Sequence, residues 1–270
     1  MSTNTKRLGK LIGKGAQADV YAVDNKAIKV FKEHCSKIEV FYEALVNSVV
    51  ESIDLPVPKI YEVIQIENRM GIVMDLIEGI SMEQVILNDL NNLEFYLDQI
   101  IDLQIKIHSI NIQVPGLLNM KDRLEQRISQ SPILNNSQKK SLHGLLNGFD
   151  FGASLCHGDF HLMNLIKTDQ NIVAIDWVDA TYGSPEADLC RTYLLAELYS
   201  PEGFADIYLD LYCQKTNKQR KDILKWLPVI AGARLTERNE SEEERLLQWV
   251  EMDLDNFLMR EAKNLQGIYE

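Results

Sequence analysis

The spacing of apolar positions changes character near residue 79. Before that point the apolar runs are short and bounded by turn residues, which predicts strands. Leu8–Ile12 leads into a glycine-containing turn, Val20–Val23 resumes, Asp24-Asn25 makes a tight turn, and Ala27–Phe31 follows. Ser36-x-x-Glu39 has the form of a capping box, and the helix it opens places Ile38, Phe41, Leu45 and Val49 on one face. Leu55-Pro56-Val57-Pro58 ends that helix. Ile60–Ile66, a Glu67-Asn68 turn and Met70–Leu76 then predict a hairpin.

After Gly79 the period becomes helical. Leu93, Leu97, Ile100, Ile101, Gln104 and Ile107 keep one face, and shorter helices are predicted near 121–130 and 136–147. Leu165-Ile166 and Val173–Ile175 interrupt as short β runs. From Pro185 onward the chain is helical again, with Pro228 breaking or kinking one helix. Ser241-x-x-Glu244 predicts the start of a long final helix through Leu246, Leu247, Val250, Leu254, Leu258 and Leu265. The expected organisation is α+β: an antiparallel sheet with one helix over 1–78, and a mainly helical part over 79–270.

Charge is unevenly shared. Residues 1–78 carry 10 Lys+Arg against 11 Asp+Glu, whereas residues 79–270 carry 18 against 29. The acidic second part argues against a nucleic-acid partner and favours a cationic ligand, unless the acidity serves only solubility. No run of eighteen apolar residues predicts a membrane span, and the N-terminus has no apolar stretch of the signal-peptide kind. Cys35, Cys156, Cys190 and Cys213 are scattered, which is the pattern of free thiols in a reducing cytoplasm.

Chemistry is concentrated in His157-Gly158-Asp159-Phe160-His161-Leu162-Met163-Asn164, followed twelve residues after Asn164 by Asp176 between Ile175 and Trp177. One carboxylate, an amide five residues later, and a second carboxylate are the parts of phosphoryl transfer. Asp159 is the expected acceptor of a hydroxyl proton. Asn164 and Asp176 are the expected ligands of magnesium on nucleotide phosphates. The spacing is that of kinase catalytic loops before an Asp of the DFG type. His161 either reaches the γ-phosphate or is a packed loop histidine. His157 and His108 read as structural. Cys156 is discounted as a nucleophile, because neighbours in an extended strand point to opposite faces.

Gly13-x-Gly15-x-x-Ala18-x-Val20 has the form of a glycine-rich hairpin over phosphates, with Ala18 in place of the third glycine, or of an ordinary hairpin turn. Lys29, among aliphatic neighbours on a strand, is either a solvent-facing lysine or a cation for the α- and β-phosphates. The second role needs a carboxylate from the next helix, and Glu43 and Glu39 both qualify by position. Only a few residues separate Asp176 from Pro185-Glu186-Ala187-Asp188-Leu189, leaving little room for the activation loop of a protein kinase. That favours a small-molecule substrate over a peptide.

The segments "HGDFHLMNLI", "IDWVDATYGSPEADL", "LPVPKIYEV", "FYEA" and "MDLIEG" together resemble the aminoglycoside phosphotransferase family, in family order from about residue 10 to residue 195. The resemblance implies a two-lobed, protein-kinase-like fold with ATP or GTP and magnesium bound between lobes. It favours Glu43 over Glu39 as the partner of Lys29. It implies that the backbone of Asp75–Ile77 hydrogen-bonds the purine with Met74 behind it, and that Asp188 braces the catalytic loop. Family members act on aminoglycosides, macrolides, choline, homoserine and other small hydroxyl compounds, so an antibiotic-resistance enzyme is one expectation among several. For a polyamine, Asp179, Glu186, Glu251, Asp253 and Asp255 are the acids proposed to dock it. The rival expectations are a nucleotide-binding pseudoenzyme and a protein kinase; oligomeric state is not addressed by the sequence.

Overall fold

In a computed structural model of the protein, residues 9–257 and 259 are described. Along the chain the strands and helices run β1 (Lys10–Lys14), β2 (Ala18–Val23), β3 (Lys26–Phe31), α1 (Lys37–Glu51), β4 (Ile60–Ile66), β5 (Arg69–Asp75), β6 (Ile80–Ser81), α2 (Met82–Asn88) and α3 (Leu93–His108). They continue with β7 (Leu118–Asn119), α4 (Met120–Gln130), α5 (Asn136–Asn147), β8 (Ser154–Cys156), β9 (Leu165–Lys167), β10 (Ile172–Ala174) and β11 (Thr181–Gly183). The remainder is helical: α6 (Pro185–Tyr199), α7 (Phe204–Thr216), α8 (Arg220–Leu224), α9 (Leu227–Arg234) and α10 (Glu240–Val250). This is the expected α+β architecture, an antiparallel sheet with one helix followed by a helical part.

The chain packs as two compact units. One comprises residues 1–91, 114–117 and 162–179; the other comprises 92–113, 118–161 and 180–270. The sequence expectation drew a single division at 78/79; the first packing unit runs on to residue 91 and takes in two later segments, 114–117 and 162–179. Asn164 and Asp176 therefore belong with the N-terminal sheet, and Asp159 with the helices.

The first unit is built on a five-stranded antiparallel sheet in the order β1-β2-β3-β5-β4. Alternation along β3 sets its two faces. Ile28 and Val30 enter one core cluster with Ile66 and Val73, while Phe31 enters another with Val40 and Ala44 of α1. Lys29 shares the Phe31 side and so points toward α1. Ala18 is buried in that second cluster. Its methyl fills core space, which is why a third glycine is not required there. The Leu8 end of the first predicted strand lies outside the described residues; the strand itself runs on through Gly13 to Lys14.

Helix α1 opens on the expected Ser36/Glu39 capping box, with both reciprocal bonds made. Its buried face is not the expected one. Val40, Glu43, Ala44, Val46, Asn47 and Val50 are buried, whereas Ile38 is 81% exposed and Phe41 and Leu45 are also exposed. The inward face carries two polar residues, so a hydrophobic pattern selects the opposite one.

In the second unit, α3 buries the predicted stripe of Leu97, Ile100, Ile101, Gln104 and Ile107. Gln104 is satisfied by Thr192 Oγ1 at 3.0 Å and the Tyr208 hydroxyl at 2.8 Å. Helix α6 is buried continuously from Ala187 to Ala196, including Asp188 and Arg191. Pro228 lies in the first turn of α9, where its missing N–H is not needed, so it starts a helix instead of kinking one. The predicted cap of the last long helix is corrected: Asn239, not Ser241, caps α10, accepting from Ser241 N. That helix stops at Val250, residues 251–253 break the pattern, and a further helical turn begins at 254. Leu258 and Leu265 lie outside the described residues. All four cysteines are free thiols, and no described helix is long and apolar enough to cross a membrane.

Candidate active site

Within the sheet-bearing unit, Lys29 Nζ lies 2.6 Å from Glu43 Oε1 and 3.0 Å from Asp176 Oδ1. Glu43 is thus the partner that two open positions on α1 had left undecided. Glu39 is spent on the capping box instead. Burial opposes the charge on Lys29, but the attraction of Asp176 and Glu43 outweighs it and holds the ammonium above its ordinary range. Asp176 adopts a left-handed backbone conformation, φ 63°, which is costly for a residue with a side chain. The 3₁₀ turn Trp177–Asp179 follows it at once, anchored by Trp177 Nε1 donating to Ala174 O at 3.0 Å. Asn164 ends the 3₁₀ turn Leu162–Asn164, and its carbonyl accepts from Ile175 N at 2.9 Å. One backbone bond therefore ties Asn164 to the residue preceding Asp176. An amide oxygen and a carboxylate on adjoining turns are hard oxygen donors of the kind a magnesium ion accepts.

The glycine-rich hairpin is formed by β1 and β2, with Gly15 N donating to Ala18 O at 2.8 Å and a register shift between Leu11 and Gly13. Neither Gly13 nor Gly15 has a positive φ, and Gly15 is exposed at the tip. Asp75 ends β5. Its N–H donates to Lys59 O at 3.0 Å, and its carboxylate accepts from Tyr61 Oη at 2.6 Å and from Lys26 Nζ at 3.2 Å. Ile77, half-buried, lies between β5 and Gly79.

In the helical unit, Asp159 is half-buried and both of its oxygens are engaged. Arg191 Nη2 lies 3.0 Å from Oδ1, and His161 Nε2 lies 3.3 Å from Oδ2. Burial favours the neutral acid, but the His161 bond and the charges of Arg191, His161 and His157 outweigh it. The carboxyl is held well below the usual carboxylate range. The backbone of this loop is held by Asp188: Oδ2 accepts from His157 N at 3.1 Å and Oδ1 from Gly158 N at 2.7 Å. Gly158 has φ 81°, a conformation glycine takes without steric cost. Asp188 Oδ2 also lies 2.9 Å from His108 Nε2, whose Nδ1 meets the Tyr212 hydroxyl at 2.8 Å. Burial raises the Asp188 carboxyl, but the His108 bond, the neighbouring histidines and the Gly158 N–H lower it further. His108, Cys156 and Asp188 lie close enough for metal ligation, yet the histidine and carboxylate are already committed to this network.

Three of the five acids expected to dock a polyamine have side-chain partners. Glu186 pairs with Lys218 and accepts from Ser184, Glu251 accepts from Gln138, and Asp253 accepts from Asn256. Asp179 belongs to the sheet-bearing unit, where its charge acts on Glu43. Asp255 is exposed. Arg191 and Glu237, which contact or approach Asp159 through one another, were not anticipated from the sequence. The available signal was position: Arg191 lies three residues after Asp188, on the same face of α6.

A family profile described as "Phosphotransferase enzyme family" matches residues 9–224. A protein named as a LicA homolog from Mycoplasma capricolum subsp. capricolum is 28% identical over 207 residues, covering 74% of this chain and 78% of that protein. Among solved structures, choline kinase LicA from Streptococcus pneumoniae superposes with a TM-score of 0.61 at 19% identity, covering 90% of this chain and 92% of the other. A thermostable mutant of aminoglycoside phosphotransferase APH(4)-Ia, in a ternary complex with AMP-PNP and hygromycin B, gives a TM-score of 0.66 at 13% identity, covering 94% of each chain. At these identities the structural likenesses establish the fold.

Proposed function

Because the chain belongs to the phosphotransferase enzyme family, we propose that it moves the γ-phosphoryl group of ATP to a hydroxyl of a small cationic molecule, with a choline-type amino alcohol as the first candidate and an aminoglycoside as the second. The observation that carries the reaction is the Lys29 ammonium held by Glu43 and Asp176, in a chain whose catalytic loop presents an ionised Asp159. The choline-type substrate is favoured by the 28% likeness to the LicA homolog and by the acidity of residues 79–270. The aminoglycoside reading draws on the fold shared with APH(4)-Ia.

In this reading Lys29 binds phosphate oxygens, and Glu43 keeps its ammonium aimed and charged. Asn164 and Asp176 would hold magnesium, which when bound neutralises charge on the phosphates. Asp159 accepts the proton of the substrate hydroxyl as the hydroxyl oxygen bonds to the γ-phosphorus, while the bond from that phosphorus to the β–γ bridging oxygen breaks and ADP leaves with the electron pair. A carboxylate with so low a proton affinity is a weak base, so its main contribution is orientation of the hydroxyl. Ile77 and Asp75 would meet the purine through their backbone, with the Ile77 N–H as donor, since Asp75 N is occupied by Lys59 O. Gly13 and Gly15 would cover the phosphates, and His161 would contact the γ-phosphate.

The test is phosphate transfer from ATP, with GTP in parallel, across choline, ethanolamine, aminoglycosides and hydroxylated amino acids. Phosphorylation of choline or an aminoglycoside is the expected result. Turnover confined to neutral or anionic alcohols would remove the cationic substrate. Nucleotide binding without turnover on any alcohol would favour a pseudoenzyme.

A further inference from the structure

We propose that Arg191 is the positioning residue for Asp159: its guanidinium fixes one carboxylate oxygen, Oδ1, and so sets where Oδ2, which His161 Nε2 approaches at 3.3 Å, meets a substrate hydroxyl. This rests on the reading of Asp159 as proton acceptor.

Arg191 Nη2 is shared between Asp159 Oδ1 and Glu237 Oε1, each at 3.0 Å. The arginine side chain is 9% exposed and that of Asp159 26%. Arg191 is therefore the buried member of the set, and its two carboxylate partners, Asp159 and Glu237, are both partly exposed. Glu237 is itself pinned, by Arg234 Nη1 at 2.8 Å and Arg127 Nη1 at 3.4 Å. Arg234 is held in turn by Glu242 through Nε at 2.5 Å and Nη2 at 2.8 Å. Asp159 thus ends a chain of charge-assisted contacts that reaches from α6 through the turn 235–237 to α10.

The same face of α6 holds the loop twice. Asp188 fixes its backbone through the N–H groups of His157 and Gly158. One helical turn later, Arg191 fixes its side chain. A carboxylate has two equivalent oxygens and a broad terminal torsion. A guanidinium on one of them removes that freedom, and a near-attack geometry requires such a restriction. The proton affinity of Asp159 agrees: with His157, His161 and Arg191 around it the carboxylate is stabilised, which suits orientation more than basicity.

The test uses Arg191→Gln and Arg191→Lys in the full chain, with choline or whichever acceptor the wild type phosphorylates. The expected result is a fall in kcat of about 10²-fold in Arg191→Gln with the KM for ATP little changed, and partial recovery in Arg191→Lys. In an Asp159→Asn background the same substitution should cost nothing further. A merely structural arginine would slow both backgrounds alike, and that outcome, or wild-type kcat in Arg191→Gln, overturns the proposal. A second readout does not depend on turnover. With carbon-13-labelled aspartate, assigned through Asp159→Asn, the Asp159 carboxyl should titrate at higher pH in Arg191→Gln or Arg191→Lys than in the wild type. An unchanged titration overturns the contact itself. Absence of transfer by the wild type to any acceptor would instead count against the proposed function and leave this titration to decide the role of Arg191.

Discussion

In the sheet-bearing unit, a cation on a central strand is held by two carboxylates; in the helical unit, a carboxylate on a loop is held by a guanidinium and an imidazole. Lys29 gets its geometry from regular structure, the pleat of β3 and the second turn of α1. Asp159 sits on an irregular loop with no such support, and α6 supplies it from outside through Asp188 and Arg191. A residue on a strand needs a partner to tune its charge; a residue on a loop needs partners to fix its position. The polar investment follows that difference. Two acids serve Lys29, while the loop bearing Asp159 rests on Asp188, His108, Tyr212, Arg191 and Glu237.

The sharpest break of this comparison is at Asp188. Asp188→Ala leaves two backbone N–H groups and His108 without their acceptor in a buried setting, and is expected to cost about 3–5 kcal/mol of stability. Urea unfolding measures this. The folded-state proton affinity of Asp188 lies below its unfolded value, so its contribution is fully present above the ordinary aspartate range. It is lost as pH falls below about 4 toward the depressed folded value. The gap between wild type and Asp188→Ala should therefore narrow in acid; a gap that is constant from neutral pH to pH 3 would contradict the ionised network.

Next comes Lys29. Lys29→Met should lower kcat by about 10²–10³-fold, as expected for loss of one preorganised charge at a developing anion. Steady-state kinetics with saturating ATP reads this directly. Glu43→Gln keeps the shape but halves the carboxylate support, so about a tenfold loss is expected, consistent with one charge-assisted hydrogen bond. Equal losses in the two variants would mean that Glu43 does more than aim Lys29. The smallest effect concerns α1 itself. Ile38→Ala should change stability by no more than about 0.5 kcal/mol, whereas Ile72→Ala on the sheet should cost about 2–5 kcal/mol. Thermal unfolding of the two variants separates the exposed face of α1 from the core.

Most of the fold was legible because its elements obey simple periods. The β3 alternation, the Ser36 capping box and the α3 stripe through Gln104 were all readable, and all are present. The exceptions have physical causes. On α1 the working face carries Glu43 and Asn47, so the apolar face read from the sequence is the exposed one. At α10 the Ser241-x-x-Glu244 pattern was present, but Asn239 captured the role two residues earlier. The strands β6, β7, β8 and β11 are only two or three residues long, too short for any period to declare itself. In the site, the motif spacing marked Asp159, Asn164 and Asp176. It could not mark Arg191, whose role depends on which turn of α6 faces the loop, nor Glu237, which reaches Arg191 from a 3₁₀ turn 46 residues further along.

The most direct test of the central claim is phosphorus NMR of ATP, magnesium and choline or another accepted alcohol, with wild type and Asp159→Ala side by side. The expected result is a new phosphomonoester signal that grows with wild type and forms about 10²–10⁴-fold more slowly with Asp159→Ala, while nucleotide binding is retained. A phosphomonoester formed at the wild-type rate by Asp159→Ala would contradict the role given to this carboxylate.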